Sequence, residues 1–470
     1  MSKIIAKEVD FAKWYTSIIE NAQLVDYGLV KGTIVFKPYG WAIWKNIVDE
    51  FTKILASLNT QECCLPLLIP YSEFTKEKDH VEGFDPELFK VSYLGNKKIE
   101  DELVIRPTSE ILFCHYFKKN VNSYNDLPLI LNQWCNVFRV EKNTRPFLRT
   151  SEFFWQEQHA VFASEKQAYD FAIKMVNVYQ KFVNDFLSIA VLMGEKTVGE
   201  RFAGAINTFT IEALMPDGQV LQSATSHYLG QNFAKPFSIK FANQNNNYEF
   251  AFQTSAGLST RIIGAIIMSH SDNFGLVLPF KIAPVQFAIL YPSEIDINDK
   301  QLQQIKATLK DFRIELQPIE KSFGMQIQKN EIKGIPFQII LGKKEMELNQ
   351  VTIYQRDIRQ KSFLNIADFN TKQIQKMINN YCDNLFNNSL QRIQNSIVYV
   401  DNLNDFNKAI KDRKVVTAYW NGDKEDENKL KNLTSVVPRC YDWKIPSDPN
   451  KKCFFTNKPN ARLVYFARAY

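Results

Sequence analysis

The chain has 470 residues, enough for roughly three domains, and its 45% hydrophobic and 23% charged make-up is that of an ordinary globular protein. The net charge of +6 is a mild excess, compatible with a nucleic-acid partner without arguing for one. The polar N-terminus is unlike a signal peptide, no apolar run approaches a membrane span, and the seven scattered cysteines do not form a disulfide framework, so we expect a cytoplasmic protein with no membrane association.

The first predicted elements are a helix over residues 8–22 and a long helix from about Trp41 to Leu58. In the long helix, apolar side chains recur at three- and four-residue steps, as on the buried face of a helix. The run Cys63–Pro70 predicts a short strand, and its two prolines suit a sheet edge or an interface better than a central strand. Residues 71–90 are charged and interrupted by glycine and proline, which predicts a surface segment.

A short strand and a turn come next, and they lead into a helix that begins at about Ser109. Either Thr108 or Ser109 could be no more than the N-cap of this helix, because serine and threonine are common at that position. The pattern of residues leaves a purely structural role open for both.

A hairpin with a charged face is predicted over Leu131–Glu141 and Ser151–Phe162. The fork of an arginine suits a phosphate oxygen, and a carboxylate can accept hydrogen bonds from an amino group. A solvated charged face is the alternative, but aromatic residues surround these charges and make unpaired charge costly, which favours a ligand site. Because side chains two apart in a strand point the same way, the residues on this face are Arg139 and Glu141, then Trp155, Glu157 and His159.

Three further elements complete the first part of the chain. Residues 164–193 predict a long amphipathic helix, and Asp217-Gly218 predicts the turn of a second hairpin that leads to His227. The run Ile262–Met268 predicts a buried helix, with Arg261 just before it. From Pro284 onward, strands alternate with helices, which indicates a small α/β domain with a mixed sheet.

The segments LNQWCNVFR, FLRTSEFFWQEQH and TSHYLGQNF carry a resemblance to a known family. The hairpin resembles motif 2 of the class II aminoacyl-tRNA synthetases, and the three segments together resemble the prolyl-tRNA synthetases of the archaeal and eukaryotic type. The likeness covers nearly the whole chain. The short spacing between His159 and Gln222 resembles the form that lacks the inserted editing domain.

The resemblance implies an α/β (α+β) fold in three parts. These are a class II synthetase antiparallel-sheet catalytic domain at 1–283, a small α/β anticodon-binding domain at 284–390, and an α+β C-terminal module at 391–470. Within the catalytic domain it implies motif 1 at about 38–70, motif 2 at about 131–162 and motif 3 at about 254–280. Class II enzymes form homodimers through motif 1. One departure lies in the anticodon-binding domain, where Gln338 and Ile340 replace the family's usual charged pair.

The implied reaction is the activation of L-proline by ATP with Mg²⁺, followed by transfer to tRNA(Pro). The resemblance assigns Arg139 and Arg261 as the catalytic residues. It assigns the proline site to Thr108, Glu110, Arg139, Trp155, Glu157, His159, Phe202 and His227. It assigns the ATP site to Arg139, Glu141, Arg149, Thr150, Gln222, Thr225 and Arg261.

The C-terminal module resembles a zinc-binding module that has lost its ligands. Of the family's two cysteine pairs, only Cys453 remains, and no histidine follows His270. A structural zinc needs four thiolate or imidazole ligands, so we expect no structural zinc here. Packing of apolar residues would then support this part of the chain, and those expected are Val436, Val437, Trp443, Phe454, Phe455, Val464 and Phe466.

Two alternatives to proline–tRNA ligation remain from the sequence. One is a catalytically weak paralogue that binds tRNA, since a fold does not fix a function. The other is a class II synthetase for another small amino acid, such as threonine or alanine. Replacements at Ser223-Ala224 and Ser255-Ala256 show that some walls of the implied pocket differ from the family pattern. Walker and GxGxxG nucleotide motifs are missing from the sequence.

Overall fold

The computed structural model describes residues 4–76 and 88–470. The middle of the predicted surface segment 71–90 therefore lies outside the described residues. Its two ends form a short helix, Tyr71–Phe74, and the start of a strand at Phe89.

The strands are numbered here in chain order. They are β1 (Val25–Tyr27), β2 (Ile34–Phe36), β3 (Gln61–Glu62), β4 (Leu68–Pro70), β5 (Phe89–Leu94), β6 (Lys97–Ile105), β7 (Leu129–Phe138), β8 (Glu152–Phe162), β9 (Val191–Glu195), β10 (Asn207–Leu214), β11 (Val220–Gly230), β12 (Lys240–Ala242), β13 (Tyr248–Phe250), β14 (Phe252–Ser259), β15 (Phe287–Pro292), β16 (Ile314–Ile319), β17 (Phe337–Ile340), β18 (Gln350–Gln355), β19 (Gln360–Asn365), β20 (Ile397–Tyr399), β21 (Val415–Trp420), β22 (Val437–Tyr441) and β23 (Arg462–Ala467).

The α-helices are numbered in the same way. They are α1 (Phe11–Asn21), α2 (Pro38–Ala56), α3 (Tyr71–Phe74), α4 (Glu110–Asn120), α5 (Glu165–Leu187), α6 (Ala234–Phe237), α7 (Arg261–His270), α8 (Lys300–Thr308), α9 (Phe323–Lys333), α10 (Lys343–Glu347), α11 (Thr371–Ser396), α12 (Leu403–Lys411) and α13 (Lys424–Thr434).

An eleven-stranded sheet combines strands from the first and last parts of the chain, in the order β20-β21-β23-β22-β9-β10-β11-β14-β8-β7-β3. Neighbouring strands are antiparallel except at the two edges, where β20 runs parallel to β21 and β3 runs parallel to β7. The predicted antiparallel catalytic sheet is therefore confirmed. In its β7–β8 hairpin, Gln133 lies opposite Glu157 and Leu131 lies opposite His159.

The first strand of this hairpin is shorter than predicted. It ends at Phe138, and the prediction that it reaches Glu141 is wrong. The amide of Arg139 still donates to the Ser151 carbonyl at 2.8 Å. Beyond it, the Glu141 carboxylate accepts a hydrogen bond from the Asn143 amide at 3.2 Å. Such local side-chain bonds compete with strand pairing and favour a turn.

Two long helices support the sheet, and both differ from prediction at one end. Helix α2 begins at Pro38, three residues before the predicted start at Trp41, because proline suits the first turn of a helix. Helix α5 is capped by Ser164 and ends at Leu187, because Ser188 is left-handed with φ 53°. The predicted helix over 164–193 is thus too long, and its last residues belong to β9.

The predicted α/β domain with a mixed sheet is confirmed. Strands β16, β15 and β17 are parallel, while β18 and β19 extend the sheet in the antiparallel sense. Strand β19 was not predicted. Gln338 on β17 is fully buried, where its side chain accepts from Asn330 at 2.9 Å and donates to the Ile327 carbonyl at 3.2 Å. The side-chain amide of Gln338 therefore makes its hydrogen bonds inside the domain.

The last part of the chain does not form a sheet of its own. Its strands join the large sheet through β22 and β9, where Tyr441 pairs with Glu195. Most of the predicted packing residues share one apolar cluster, in which Val436, Val464 and Phe466 are buried and Phe454 and Phe455 pack against it. Trp443 contacts this cluster and the core around α5 as well.

Candidate active site

One cavity lies on the face of the large sheet, between β8, β11 and β14, and all but three of the predicted site residues line it. The predicted residues in its wall are Thr108, Glu110, Arg139, Trp155, Glu157, His159, Phe202, Gln222, Thr225, His227 and Arg261. The alternation of side chains along β8 accounts for three of them. Trp155, Glu157 and His159 are two apart and share the cavity face, as predicted.

The remaining three predicted residues, Glu141, Arg149 and Thr150, do not line this cavity. The guanidinium of Arg149 lies 3.2 Å from the Glu141 carboxylate, in the loop that follows β7. Arg149 lines a separate hollow, together with residues of the same loop and Tyr470. Thr150 is buried.

The cavity also contains residues that sequence reasoning did not select as site residues. Phe153 shares the cavity face of β8, and its position two residues before Trp155 was a signal for it. Glu200, Arg201 and Thr208 also line the cavity. No local pattern indicated these three, because their place depends on how β9 and β10 pair.

The turn before α4 presents a carboxylate and a hydroxyl side by side. The Thr108 hydroxyl donates to Glu110 at 2.5 Å, and both side chains are almost completely buried. Ser109, the residue before the helix, makes no side-chain cap bond. Its hydroxyl and its amide donate to Glu157 instead. The N-cap alternative therefore does not describe the hydrogen bonds of this turn.

Glu157 is the hub of a buried hydrogen-bond network. Besides Ser109, it accepts from Gln133 Nε2 at 2.6 Å, and His159 Nε2 lies 3.3 Å away. Burial alone would raise the pKa of the Glu157 carboxyl, but the contacts with His159, Ser109 and Gln133 outweigh burial and hold the pKa below its usual range. The carboxylate is thus ionised, and its hydrogen bonds are made to residues of its own chain. Through these bonds it holds in place the turn that carries Thr108 and Glu110.

We expect Glu157→Gln to lower the free energy of unfolding by about 1–3 kcal/mol, because an amide cannot accept from all the donors that now surround the carboxylate. Thermal or denaturant unfolding measures this loss. The matched control is Glu152→Gln on the same hairpin, where the carboxylate accepts from Asn136 at a partly exposed site. Equal stability losses in the two variants would contradict the role of Glu157 as a network hub.

Two histidines stand at the same end of the cavity, each against an aromatic ring. His159 stacks on Phe113 with ring centres 4.1 Å apart, and His227 stacks on Phe202 at 4.6 Å. The Thr208 hydroxyl lies 3.0 Å from His227 Nδ1. Burial, followed by the nearby His159 and Lys196, lowers the pKa of His227 to about 3, so its imidazole is neutral at pH 7. This end offers flat rings around a carboxylate.

Arg139 and Arg261 lie at the other end of the cavity. Arg139 Nε donates to the Pro107 carbonyl at 3.1 Å, and its guanidinium lies 5.4 Å from the Phe153 ring centre and 5.6 Å from that of Trp155. Arg261 Nε donates to the Leu148 carbonyl at 3.1 Å. Burial, followed by repulsion from Arg149 and Arg139, lowers the pKa of Arg261 to about 10, which leaves it charged at pH 7. Converging cations of this kind suit an anion with several charges.

The described part of the chain holds no group of three or more His, Cys, Asp or Glu side chains that could bind a metal ion. Within residues 4–76 and 88–470, none of the helices combines the length and apolar character that a bilayer crossing requires.

Comparison with known proteins agrees with this geometry. Residues 89–270 match the tRNA synthetase class II core domain (G, H, P, S and T), residues 286–377 match an anticodon binding domain, and residues 403–470 match the prolyl-tRNA synthetase C-terminal family. The proline–tRNA ligase of Malacoplasma penetrans is 68% identical over the whole of both chains. That of Ureaplasma urealyticum is 47% identical over 100% of this chain and 99% of its own.

A solved structure shows the same fold. It is the prolyl-tRNA synthetase from Cryptosporidium parvum, complexed with halofuginone and AMPPNP. It matches with a TM-score of 0.93 and 32% sequence identity, over 99% of this chain and 96% of that one.

Proposed function

The chain belongs to the prolyl-tRNA synthetase family and is a proline–tRNA ligase, and from that premise we propose how its cavity performs the reaction. A carboxylate oxygen of L-proline attacks the α-phosphorus of ATP, a new P–O bond forms, and pyrophosphate leaves. The prolyl group then passes from the adenylate to tRNA(Pro), and AMP leaves. The attacking carboxylate is already ionised, so the protein's main work is to place two anions together and to neutralise the developing charge.

The proline end of the cavity is the end with Glu110 and Thr108. Together these side chains can accept both N–H groups of the secondary ammonium of proline. Glu157 acts through them, because it holds their turn in place. The rings of Trp155, Phe202, His159 and His227 pack around the apolar ring of the substrate. The juxtaposition of Glu110 and Arg139 in one cavity is the observation that carries this assignment.

The arginine end receives ATP. Arg139 lines the same cavity as Glu110 and Arg261, where it can contact the substrate carboxylate and the α-phosphate together. Arg261 contacts the γ-phosphate, and Gln222 and Thr225 on β11 contact the adenosine. We assign the adenine end to Glu141, Arg149 and Thr150, and the 3.2 Å contact between the Arg149 guanidinium and the Glu141 carboxylate holds two of these side chains together.

Mg²⁺ with ATP fits this site as a companion of the phosphates. The described residues provide no cage of carboxylates, and Mg²⁺ commonly keeps water and phosphate oxygens as most of its ligands. When bound, it would neutralise charge on the phosphates beside Arg139 and Arg261.

Amino-acid-dependent ATP–pyrophosphate exchange, measured with each of the twenty amino acids, tests the proposal. We expect exchange with proline above all others. Exchange that depends on threonine or alanine would instead support a synthetase for another amino acid. A protein that binds tRNA(Pro) but supports no exchange would be the catalytically weak paralogue.

The three-part organisation of the chain is part of the proposal. The catalytic domain at 1–283 holds the cavity, the domain at 284–390 contacts the anticodon of tRNA(Pro), and the module at 391–470 completes the large sheet. The family matches to separate stretches support this division. Helix α11 runs across the proposed boundary at 390. Since tRNA charging serves protein synthesis, we assign the protein to the cytoplasm.

The working form is assigned as a homodimer formed through the motif 1 region. Trp41, Leu67 and Leu68 expose 37%, 38% and 41% of their surface there, and large apolar side chains in one region favour a protein interface. We expect light scattering at micromolar concentration to give about twice the chain mass of 54.6 kDa. Leu68→Glu should shift this mass towards the monomer, whereas Phe363→Glu, an equally large change at an exposed residue of β19, should not. A monomeric mass for the unaltered chain would contradict the assignment.

The C-terminal module should fold without zinc. Lys458 Nζ lies 2.7 Å from the Asp426 carboxylate and 3.3 Å from that of Asp423, and the Phe455 ring stacks on Trp420 at 5.9 Å. These contacts join the two segments where the family's cysteine pairs would stand. Elemental analysis of protein purified without added metal should therefore find far less than one zinc per chain, and one stoichiometric zinc would contradict this expectation.

A further inference from the structure

The proline end of the cavity has a wall made by residues 196–202, which we call the wall segment. Its last three residues, Glu200, Arg201 and Phe202, line the cavity. Phe202 stacks on His227, and its amide donates to the Thr208 hydroxyl at 3.1 Å. Whatever fixes the wall segment therefore also fixes the Phe202 and His227 rings.

A buried cluster of charged side chains lies at the start of the wall segment, where Lys196 is the first residue. Lys196 Nζ donates to the Glu212 carboxylate at 2.8 Å, and Arg439 donates to both oxygens of Glu212 at 3.0 and 2.8 Å. Lys196, Glu212 and Arg439 expose only 1%, 0% and 5% of their surface. Arg439 Nη1 also lies 3.5 Å from the Glu200 carboxylate. Arg439 thus joins a fixed, buried carboxylate to one that lines the cavity.

Arg439 comes from the C-terminal module, on β22, and two other contacts from that module reach the same place. A Cβ atom on Gly199 would lie 2.1 Å from Glu427 Oε2, so the Glu427 side chain of helix α13 lies directly against the wall segment. Tyr441 pairs with Glu195, just before the wall segment. The C-terminal module therefore supports the wall from the side opposite the cavity.

From these contacts we infer that Arg439 is a positioning residue for the proline site. It holds Glu200, and through Glu200 it keeps Phe202 against His227. The inference rests on the proposed function of the cavity for the identity of the substrate. A guanidinium suits this role because its planar fork can pair with two carboxylates at once, which the point charge of a lysine cannot match. Without Arg439, Lys196 would still balance Glu212, but Glu200 would lose its ion pair with Arg439.

The test compares the Michaelis constants for proline and for ATP in pyrophosphate exchange by the full chain. We expect Arg439→Gln to raise the KM for proline by roughly 2- to 30-fold, the range typical of residues that modulate a site without touching its ligand. The KM for ATP should change much less, because the wall segment borders the proline end. Arg439→Lys should recover only part of the loss.

Glu200→Gln is the second variant, chosen because its side chain is partly exposed and its loss should leave the fold intact. It should raise the KM for proline in the same way, and the double variant should be no worse than the more affected single one, because both changes break the same link. Arg468→Gln is the matched control. Arg468 is an exposed arginine of the same module that lines a hollow with Asp217 and Arg413, without any residue of the wall segment, and its replacement should leave both Michaelis constants unchanged.

The outcomes separate this inference from the proposed function. Exchange by the unaltered chain that does not depend on proline would overturn the proposed function, and the inference with it. If the unaltered chain uses proline, the inference is overturned by a folded Arg439→Gln with an unchanged KM for proline, or by an equal rise in both constants. If Arg439→Gln does not fold, Glu200→Gln decides: a selective rise in the KM for proline supports the inference, and no rise overturns it.

Discussion

Replacing Arg139 by alanine is expected to abolish proline-dependent ATP–pyrophosphate exchange, with a loss of at least about 10²–10³-fold in kcat. The guanidinium is held at one edge by the Pro107 carbonyl, and it lies against the rings of Phe153 and Trp155. It lines the same cavity as Glu110 and Arg261, and under the proposed function it meets both anions at the atoms where charge develops. A cation placed in this way in advance costs no reorganisation during the reaction, which is why its loss should be large.

The measurement needs two controls, one for correct folding and one for the loss of a positive charge outside the cavity wall. Thermal unfolding of Arg139→Ala should match that of the unaltered chain to within a few degrees, because the residue is only half-buried. Arg145→Ala removes an arginine from the neighbouring loop without touching the cavity wall, and exchange should survive it. Arg139→Lys should be intermediate, because it keeps the charge and loses the fork. Full exchange by Arg139→Ala would refute the assignment.

The sequence predicted the face of β8 because that face depends on a local rule. Side chains two apart share a face, and Trp155, Glu157 and His159 do line the cavity. The same rule places Phe153 on this face, and Phe153 lines the cavity as well. Where β7 ends was harder to predict, because the Glu141 carboxylate accepts from the Asn143 amide and pairs with Arg149 inside the loop, and the strand pattern does not show these contacts. Local patterns thus locate a site better than they locate the end of a strand.

Contacts between residues that are far apart in the sequence could not be predicted from local sequence patterns. The pairing of Tyr441 with Glu195 makes the C-terminal strands part of the catalytic sheet. Nothing in the residues of either strand indicates which strand it pairs with. The donors that saturate Glu157 come from Ser109 and Gln133, far away in sequence. The resemblance assigns Glu157 to the pocket from the sequence. That its carboxylate is hydrogen-bonded to neighbouring side chains can be seen only in the tertiary structure.

The buried ion cluster behind the cavity yields the largest expected effect on stability. Glu212 is the only carboxylate that the described residues place in contact with both Lys196 and Arg439. Glu212→Gln should lower the free energy of unfolding by about 3–5 kcal/mol, the usual cost of breaking a buried charge pair from one side, because two cations would stay buried without a full counter-charge. Denaturant unfolding measures this loss. Glu200→Gln is the control, and its partly exposed site should lose no more than about 1 kcal/mol.

A second variant distinguishes uncompensated charge from simple disruption of packing. Adding Lys196→Met to Glu212→Gln removes one of the two buried cations and keeps a chain of similar length. If uncompensated charge is the cause, the double variant should be more stable than Glu212→Gln alone, since buried ions can often be replaced by apolar groups of similar volume without loss. A double variant less stable than Glu212→Gln would show that the cluster acts through packing and hydrogen bonds instead.

The pH dependence of the same variant tests the charge of Glu212 directly. Burial alone would raise the pKa of this carboxyl, but Arg439 and Lys196 outweigh burial and lower the pKa from 4.5 to about 2. A carboxyl whose pKa is lower in the folded chain contributes stability that is fully present above the unfolded pKa and is lost as the pH falls towards the folded pKa. The difference in unfolding free energy between the unaltered chain and Glu212→Gln should therefore be constant above about pH 5 and shrink steadily between pH 4.5 and pH 2. A difference that does not change across this range would mean that Glu212 is not the anion of the cluster.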